Sequence, residues 1–182
     1  FDYDVTPALF HSAEELERDF VFGDFCGANF SKYLVKETGK SDRKVLVFLK
    51  PCDTYSFNQL LKEHRVDREK AYIIGVGCKG KLDIEKIRKM GIKGIKSIRG
   101  AEIEDGAETL TIETLYGEKK VAYKDAMLER CHVCKGKDHM IFDEIIGESK
   151  ETKDGDRFAE VERIEAMSPE EKFAFFQKEL SK

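Results

Sequence analysis

The stretch Lys44-Val45-Leu46-Val47-Phe48-Leu49-Lys50-Pro51-Cys52-Asp53 decides how the chain is read. Lys44 to Leu49 is a continuous apolar, β-branched run of strand length, the pattern of a strand buried on both faces of a parallel sheet. Lys50-Pro51-Cys52-Asp53 reads as the turn that ends it. A helix is expected from about Tyr55 to His64, with Phe57, Leu60 and Leu61 facing inward. The same grammar then repeats. Ala71 to Val76 is a second buried strand, and Gly77-Cys78-Lys79-Gly80 ends it with a second cysteine. A helix from about Asp83 to Met90 follows, stopped by Gly91 in the C′ position. Alternating strands and helices of this kind argue for an α/β fold with a short parallel β-α-β sheet and right-handed crossovers.

Outward from this unit the texture changes. Ser12 to Phe20 opens with a serine cap and an acid three residues later, which predicts a short helix. A second helix is expected over Asn29 to Lys36, with Phe30, Tyr33 and Leu34 on one face. Beyond Gly91, the segments Ile95–Ile103, Thr109–Leu115 and Lys119–Tyr123 are broken by Glu104-Asp105-Gly106 and Tyr116-Gly117-Glu118. Period-2 alternation in Thr109-Leu110-Thr111-Ile112-Glu113 fits an added antiparallel hairpin. A Cys131-x-x-Cys134 pair, an apolar piece from Met140 to Ile146 and a polar linker from Glu148 to Asp156 come next. The C-terminal helices are expected over Phe158–Ala166 and from Ser168-Pro169-Glu170-Glu171 onward, the latter with a serine cap and proline in the first turn. This divides the chain into an α/β region at 1–147 and a linker with C-terminal helices at 148–182. The aromatic residues Phe173, Phe175 and Phe176 and Leu180 on the last helix are expected to pack into a core, with a docking face as the alternative.

Composition narrows the function. With 182 residues, the chain is long enough for one buried core. The net charge of −4 offers no basic footprint for nucleic acid. No apolar stretch reaches the about 18 residues of a membrane helix, and the start Phe1-Asp2-Tyr3-Asp4 is not a signal peptide. It also lacks an initiator Met, as a trimmed piece would. Five cysteines, an odd number without a secretory signal, speak for metal or redox chemistry rather than disulfides, with the cytoplasm as the expected location.

Four of the cysteines, Cys52, Cys78, Cys131 and Cys134, stand at turns beside Gly, Pro or Lys, where amides and positive charge favour thiolates. Cys52 and Cys78 fall at the carboxyl ends of neighbouring parallel strands, the edge where open α/β sheets place ligands. Soft sulfur donors at these places suit an iron–sulfur cluster. Cys131-x-x-Cys134 alone also fits a zinc knuckle or a redox dithiol, with His132 and His139 read as solvated bystanders. Cys26 is a spare: a further ligand, a replacement, or a packed small residue. Lys50, Lys79 and Lys135 neighbour the thiols and could tune a cluster. Gly75-x-Gly77-x-x-Gly80 matches a dinucleotide-binding pattern, and Lys79 and Lys81 would suit a phosphate. Against that reading, the helix starts only near Asp83, too far on to cap a pyrophosphate.

Taken in order, Lys50-Pro51-Cys52-Asp53, Gly75-Val76-Gly77-Cys78-Lys79-Gly80, Cys131-x-x-Cys134 and Met167-Ser168-Pro169-Glu170-Glu171-Lys172-Phe173 resemble the iron–sulfur subunits related to the beta subunit of deazaflavin-reducing hydrogenases and formate dehydrogenases. Phe25-Cys26-Gly27-Ala28-Asn29-Phe30 with Tyr33-Leu34 is similar to that group's N-terminal motif, which adds Cys26 to the candidate ligands. The resemblance implies a 4Fe-4S cluster-binding module ahead of a ferredoxin-like domain, with electron transfer to hydrogenase, formate dehydrogenase or heterodisulfide reductase partners. Larger relatives bind a flavin, for which no residues here can be assigned. The expectation is an electron-transfer module without bond chemistry of its own; the alternatives are a zinc-stabilised or metal-free docking module, and a flavin- or dinucleotide-binding domain.

Overall fold

Strand β1 (Val45–Leu49) lies parallel to β2 (Ala71–Val76), in register from Val45 opposite Ala71 to Leu49 opposite Gly75. The computed structural model describes residues 3–40, 42–104, 106–134, 138–149, 156 and 158–181. Ahead of β1 come α1 (Ala13–Asp19), whose Ser12 cap accepts from Glu15 N, and α2 (Ser31–Lys40). Helix α3 (Pro51–Lys62) and a 3-10 turn at Arg68–Lys70 join β1 to β2. Helix α3 therefore begins directly at the end of β1. Pro51, Cys52 and Asp53 form its first turn, where the sequence pattern suggests a separate turn and a helix from Tyr55. The reason is a buried cap: the Asp53 carboxylate accepts from Lys50 N at 3.2 Å, and proline suits a first turn because its amide has no helical partner to lose.

After β2, helix α4 (Ile84–Lys89) is capped by Asp83. An antiparallel sheet follows: β3 (Ile95–Glu104), β4 (Ala107–Thr114) and β5 (Gly117–Ala122), with β4 in the middle. The expected hairpin is thus a three-stranded meander. Two single-turn helices, α5 (Tyr123–Ala126) and α6 (Glu129–His132), lead to β6 (Glu144–Ile146). Strand β6 joins the far edge of β2 in parallel, giving the order β1-β2-β6. The molecule is an α/β fold in which one long crossover carries the whole antiparallel sheet. Helices α7 (Ala159–Glu165) and α8 (Pro169–Leu180) follow, α8 with the predicted Ser168–Glu171 capping box.

Two apolar cores result. In the first, Leu34, Phe57 and Val66 cover Leu49, Ala71 and Ile73 on one face of the parallel sheet. The other face is less covered than expected: Leu46 is 49% exposed, and Phe48 meets Phe20 at 4.5 Å between ring centroids. An apolar run cannot by itself distinguish two helix-covered faces from one helix-covered face and one covered by a few aromatic rings. The second core gathers Leu82, Ile87, Leu110, Ile112, Tyr123 and Met127 between the antiparallel sheet and α4–α5. The bridge Leu82–Met127 and the bond from Leu128 N to Lys81 O (2.8 Å) tie the loop after β2 to the segment that leads into the C-x-x-C.

The last helix corrects a second expectation. Phe173 is 71% and Leu180 87% exposed, and Phe176 is also exposed; they do not enter a core. Phe175 stacks edge-on against Phe176 and receives the Arg163 guanidinium at 5.3 Å. Among the described residues no helix is long and apolar enough to cross a membrane.

Candidate functional site

The carboxyl edge of the parallel sheet gathers the cysteines. Cys52 sits in the first turn of α3, just past β1, and Cys78 lies two residues past β2. Cys131 ends up in the last turn of α6, and Cys134 closes a turn on it, its amide donating to Cys131 O at 3.3 Å. These four side chains line one cavity at the sheet edge. None of the five cysteines is in a disulfide. Cys26 is placed differently: it is 6% exposed, its thiol donates to Val21 O at 3.6 Å, and it is not part of the cavity wall, although the adjacent Gly27 is.

Three cations complete the wall: Lys50, Lys81 and Arg130. Lys50 is 2% exposed, its ammonium 2.7 Å from Asp53 and 2.7 Å from Ala28 O, so the buried charge is both paired and hydrogen-bonded. Lys81 is also buried, donating to Gly23 O at 3.1 Å. Arg130 donates to Gly27 O at 2.7 Å. Lys79, read from the sequence as a tuning charge, instead stands 4.4 Å over the Tyr123 ring and 4.0 Å from Glu108. Lys135 lies outside the described residues. No spacing rule in the sequence marks Lys81 and Arg130 as wall residues; the Leu82–Met127 bridge and the bond from Leu128 N to Lys81 O bring their loops together.

Two of the thiols are less acidic than expected. Cys52 is exposed at the rim, yet the atoms crowded round its sulfur push the thiol up to about 12 by desolvation first and the Asp53 carboxylate second, with Lys50 pulling the other way. Cys131 is likewise raised, mainly by burial, against a backbone hydrogen bond from Lys81. Burial also pushes the Tyr123 phenol up; its hydroxyl donates to Gly80 O at 3.2 Å and fixes the loop after Cys78.

The glycine pattern at 75–80 has an internal explanation. A Cβ on Gly75 would stand 2.8 Å from the His139 ring, whose Nε2 lies 3.2 Å from Leu49 O. His139 is therefore a half-buried brace across β1 and β2 rather than a solvated bystander. A side chain on Gly77 would collide with the backbone of Glu148, and one on Gly80, at φ +114°, would stand 2.8 Å from the Met127 sulfur. All three glycines make room for the protein itself, so the fingerprint does not present the open backbone that a pyrophosphate requires.

Residues 42–165, more than half of the chain, match the family described as the C terminus of the coenzyme F420 hydrogenase/dehydrogenase beta subunit. The chain belongs to this family. The matched region contains Cys52, Cys78, Cys131 and Cys134 and starts beyond Cys26. Over 88 residues the chain is also 28% identical to the F420-dependent formate dehydrogenase subunit beta of Methanocaldococcus jannaschii, an alignment covering 48% of this chain and 23% of that protein. The chain thus spans about a quarter of the length of that curated relative. Among the described residues, no group of three or more His, Cys, Asp or Glu side chains is arranged to hold a single metal ion.

Proposed function

We propose that this member of the family is an electron-transfer module that holds one 4Fe-4S cluster on Cys52, Cys78, Cys131 and Cys134, within a redox complex of hydrogenase or formate dehydrogenase type. The observation that carries the reading is four thiols from three separate turns lining one cavity. A four-thiol donor set is what such clusters require. Zinc could use the same sulfurs, and acid-labile sulfide tells the two apart, because a cluster carries it and a zinc site does not.

When bound, the cluster would supply reversible one-electron chemistry. The chain's own residues position and shield it. The Lys50–Asp53 pair fixes the first turn of α3 and with it Cys52. Tyr123 holds Gly80, two residues after Cys78. The Leu128–Lys81 backbone bond sets the C-x-x-C against the same loop. Cys26, off the cavity wall, is not one of the four. A redox protein, a following ferredoxin-like domain and a cytoplasmic setting complete the proposal. Its test is anaerobic reconstitution of wild type and Cys→Ser variants. Visible sulfide-to-iron absorption in wild type and C26S, with loss in C52S, C78S, C131S and C134S, is expected. Equal absorption in C78S and wild type would contradict the assignment.

A further inference from the structure

The three wall cations share one target. Each belongs to a different cysteine-bearing turn: Lys50 precedes Cys52, Lys81 follows Cys78, and Arg130 adjoins Cys131. All three donate to backbone carbonyls of the single segment Phe22–Ala28: Lys81 to Gly23 at 3.1 Å, Arg130 to Gly27 at 2.7 Å and Lys50 to Ala28 at 2.7 Å. Leu82 N adds a bond to Asp24 O at 2.8 Å. The Phe22 ring takes part as well, with Lys81 Nζ at 4.6 Å and Lys50 Nζ at 6.0 Å from its centroid. Gly27 lets the segment close: a Cβ there would stand 3.1 Å from Leu128 and 3.2 Å from the Arg130 guanidinium.

We propose that Lys50, Lys81 and Arg130 form a cationic clamp that straps Phe22–Ala28 across the thiol cavity and places positive charge against whatever anionic centre the four thiolates hold. The second half rests on the iron–sulfur reading above. A buried ammonium group without a carboxylate partner is costly unless an anion faces it; Asp53 answers Lys50, while Lys81 has a carbonyl and an aromatic face. Four thiolates around a cluster supply the missing negative charge. Lys50, Lys81 and Arg130 are positioning residues: they act through the strap and through charge, not as ligands.

Two readouts separate these roles in the full chain. Lys81→Met removes one charge and one strap bond, Lys81→Arg keeps the charge, and Arg130→Gln alters an exposed position that cannot unfold the core. Strap closure is read by alkylation of Cys26, mapped by peptide mass spectrometry. Charge is read by redox titration of the reconstituted protein. In K81M, Cys26 is expected to label several-fold faster. The reduced-to-oxidised ratio at fixed ambient potential should fall about tenfold, equivalent to about 59 mV for one electron; K81R should stay near wild type and R130Q should move the same way as K81M. Unchanged Cys26 labelling in both K81M and R130Q would overturn the strap, and an unchanged ratio with a bound cluster would overturn the charge role. If wild type binds no iron and sulfide, the iron–sulfur reading fails by itself, and Cys26 labelling still decides the strap.

Discussion

At the scale of single residues, the site depends on groups whose burial leaves no alternative partner. Lys50 and Asp53 are 2% and 1% exposed and 2.7 Å apart. A buried pair of this kind is not in itself a large source of stability, but removing one partner strands the other. Lys50→Met is therefore expected to destabilise the fold by about 3–5 kcal/mol, measured by urea unfolding, with K50M/D53L recovering part of the loss. If K50M unfolds like wild type, Asp53 is not held by Lys50. Gly75 makes a second case. Gly75→Ala pushes a methyl against His139, 2.8 Å away, at an expected cost of about 1–3 kcal/mol. In the double variant G75A/H139A the cost should shrink, and strictly additive losses would show that the ring is not what Gly75 accommodates. The residue-level signals in the sequence were partial. Cysteines at Gly, Pro and Lys turns could be read because those turns mark strand ends. The thiols' raised proton affinity could not, because desolvation of Cys52 and Cys131 arises only when distant turns meet.

At the scale of elements, β6 is the informative case. Its three residues, Glu144, Ile145 and Ile146, are all exposed, so no hydrophobic alternation announces a strand. What docks it is the residue before it. Asp143 accepts from Ile73 N at 2.6 Å and from Arg68 Nη2 at 2.8 Å, and Arg68 holds its carboxyl below the usual carboxylate range. A carboxyl lowered in the folded state stabilises above its unfolded pKa of about 3.9, and that contribution is lost as pH falls through the lower folded value. Wild type should accordingly lose stability on acidification below about pH 4 more steeply than D143N, as followed by denaturant melts at several pH values. Identical slopes would remove Asp143 from the account. Where the element signals were local and strong they read correctly: the Ser12 and Ser168 caps and the Gly91 stop give α1, α8 and α4. The start of α3 was misplaced because Pro51 after a strand reads equally as a turn or as a first helical residue, and the deciding Asp53 cap is a tertiary, buried contact. The aromatic residues of α8 show the reverse failure, since helical spacing of Phe173 and Phe176 states that a face exists, not what covers it.

At the scale of the whole molecule, the long crossover between β2 and β6 is what makes a site. It carries the antiparallel sheet and returns the C-x-x-C to the edge where β1 and β2 end. The parallel order of β1 and β2, and hence the placement of Cys52 and Cys78, was legible from two apolar runs. The convergence of Cys131 and Cys134 on the same cavity was not, because it rests on the Leu82–Met127 bridge and the Leu128–Lys81 backbone bond, for which sequence spacing gives no sign. The family match spans residues 42–165, a range that includes the four thiols lining the cavity. The most direct test of the proposed centre is the iron and acid-labile sulfide content of protein purified and handled without oxygen. About four iron and four sulfide per chain are predicted; a folded protein with one zinc and no sulfide, or with no metal at all after reconstitution, would contradict it.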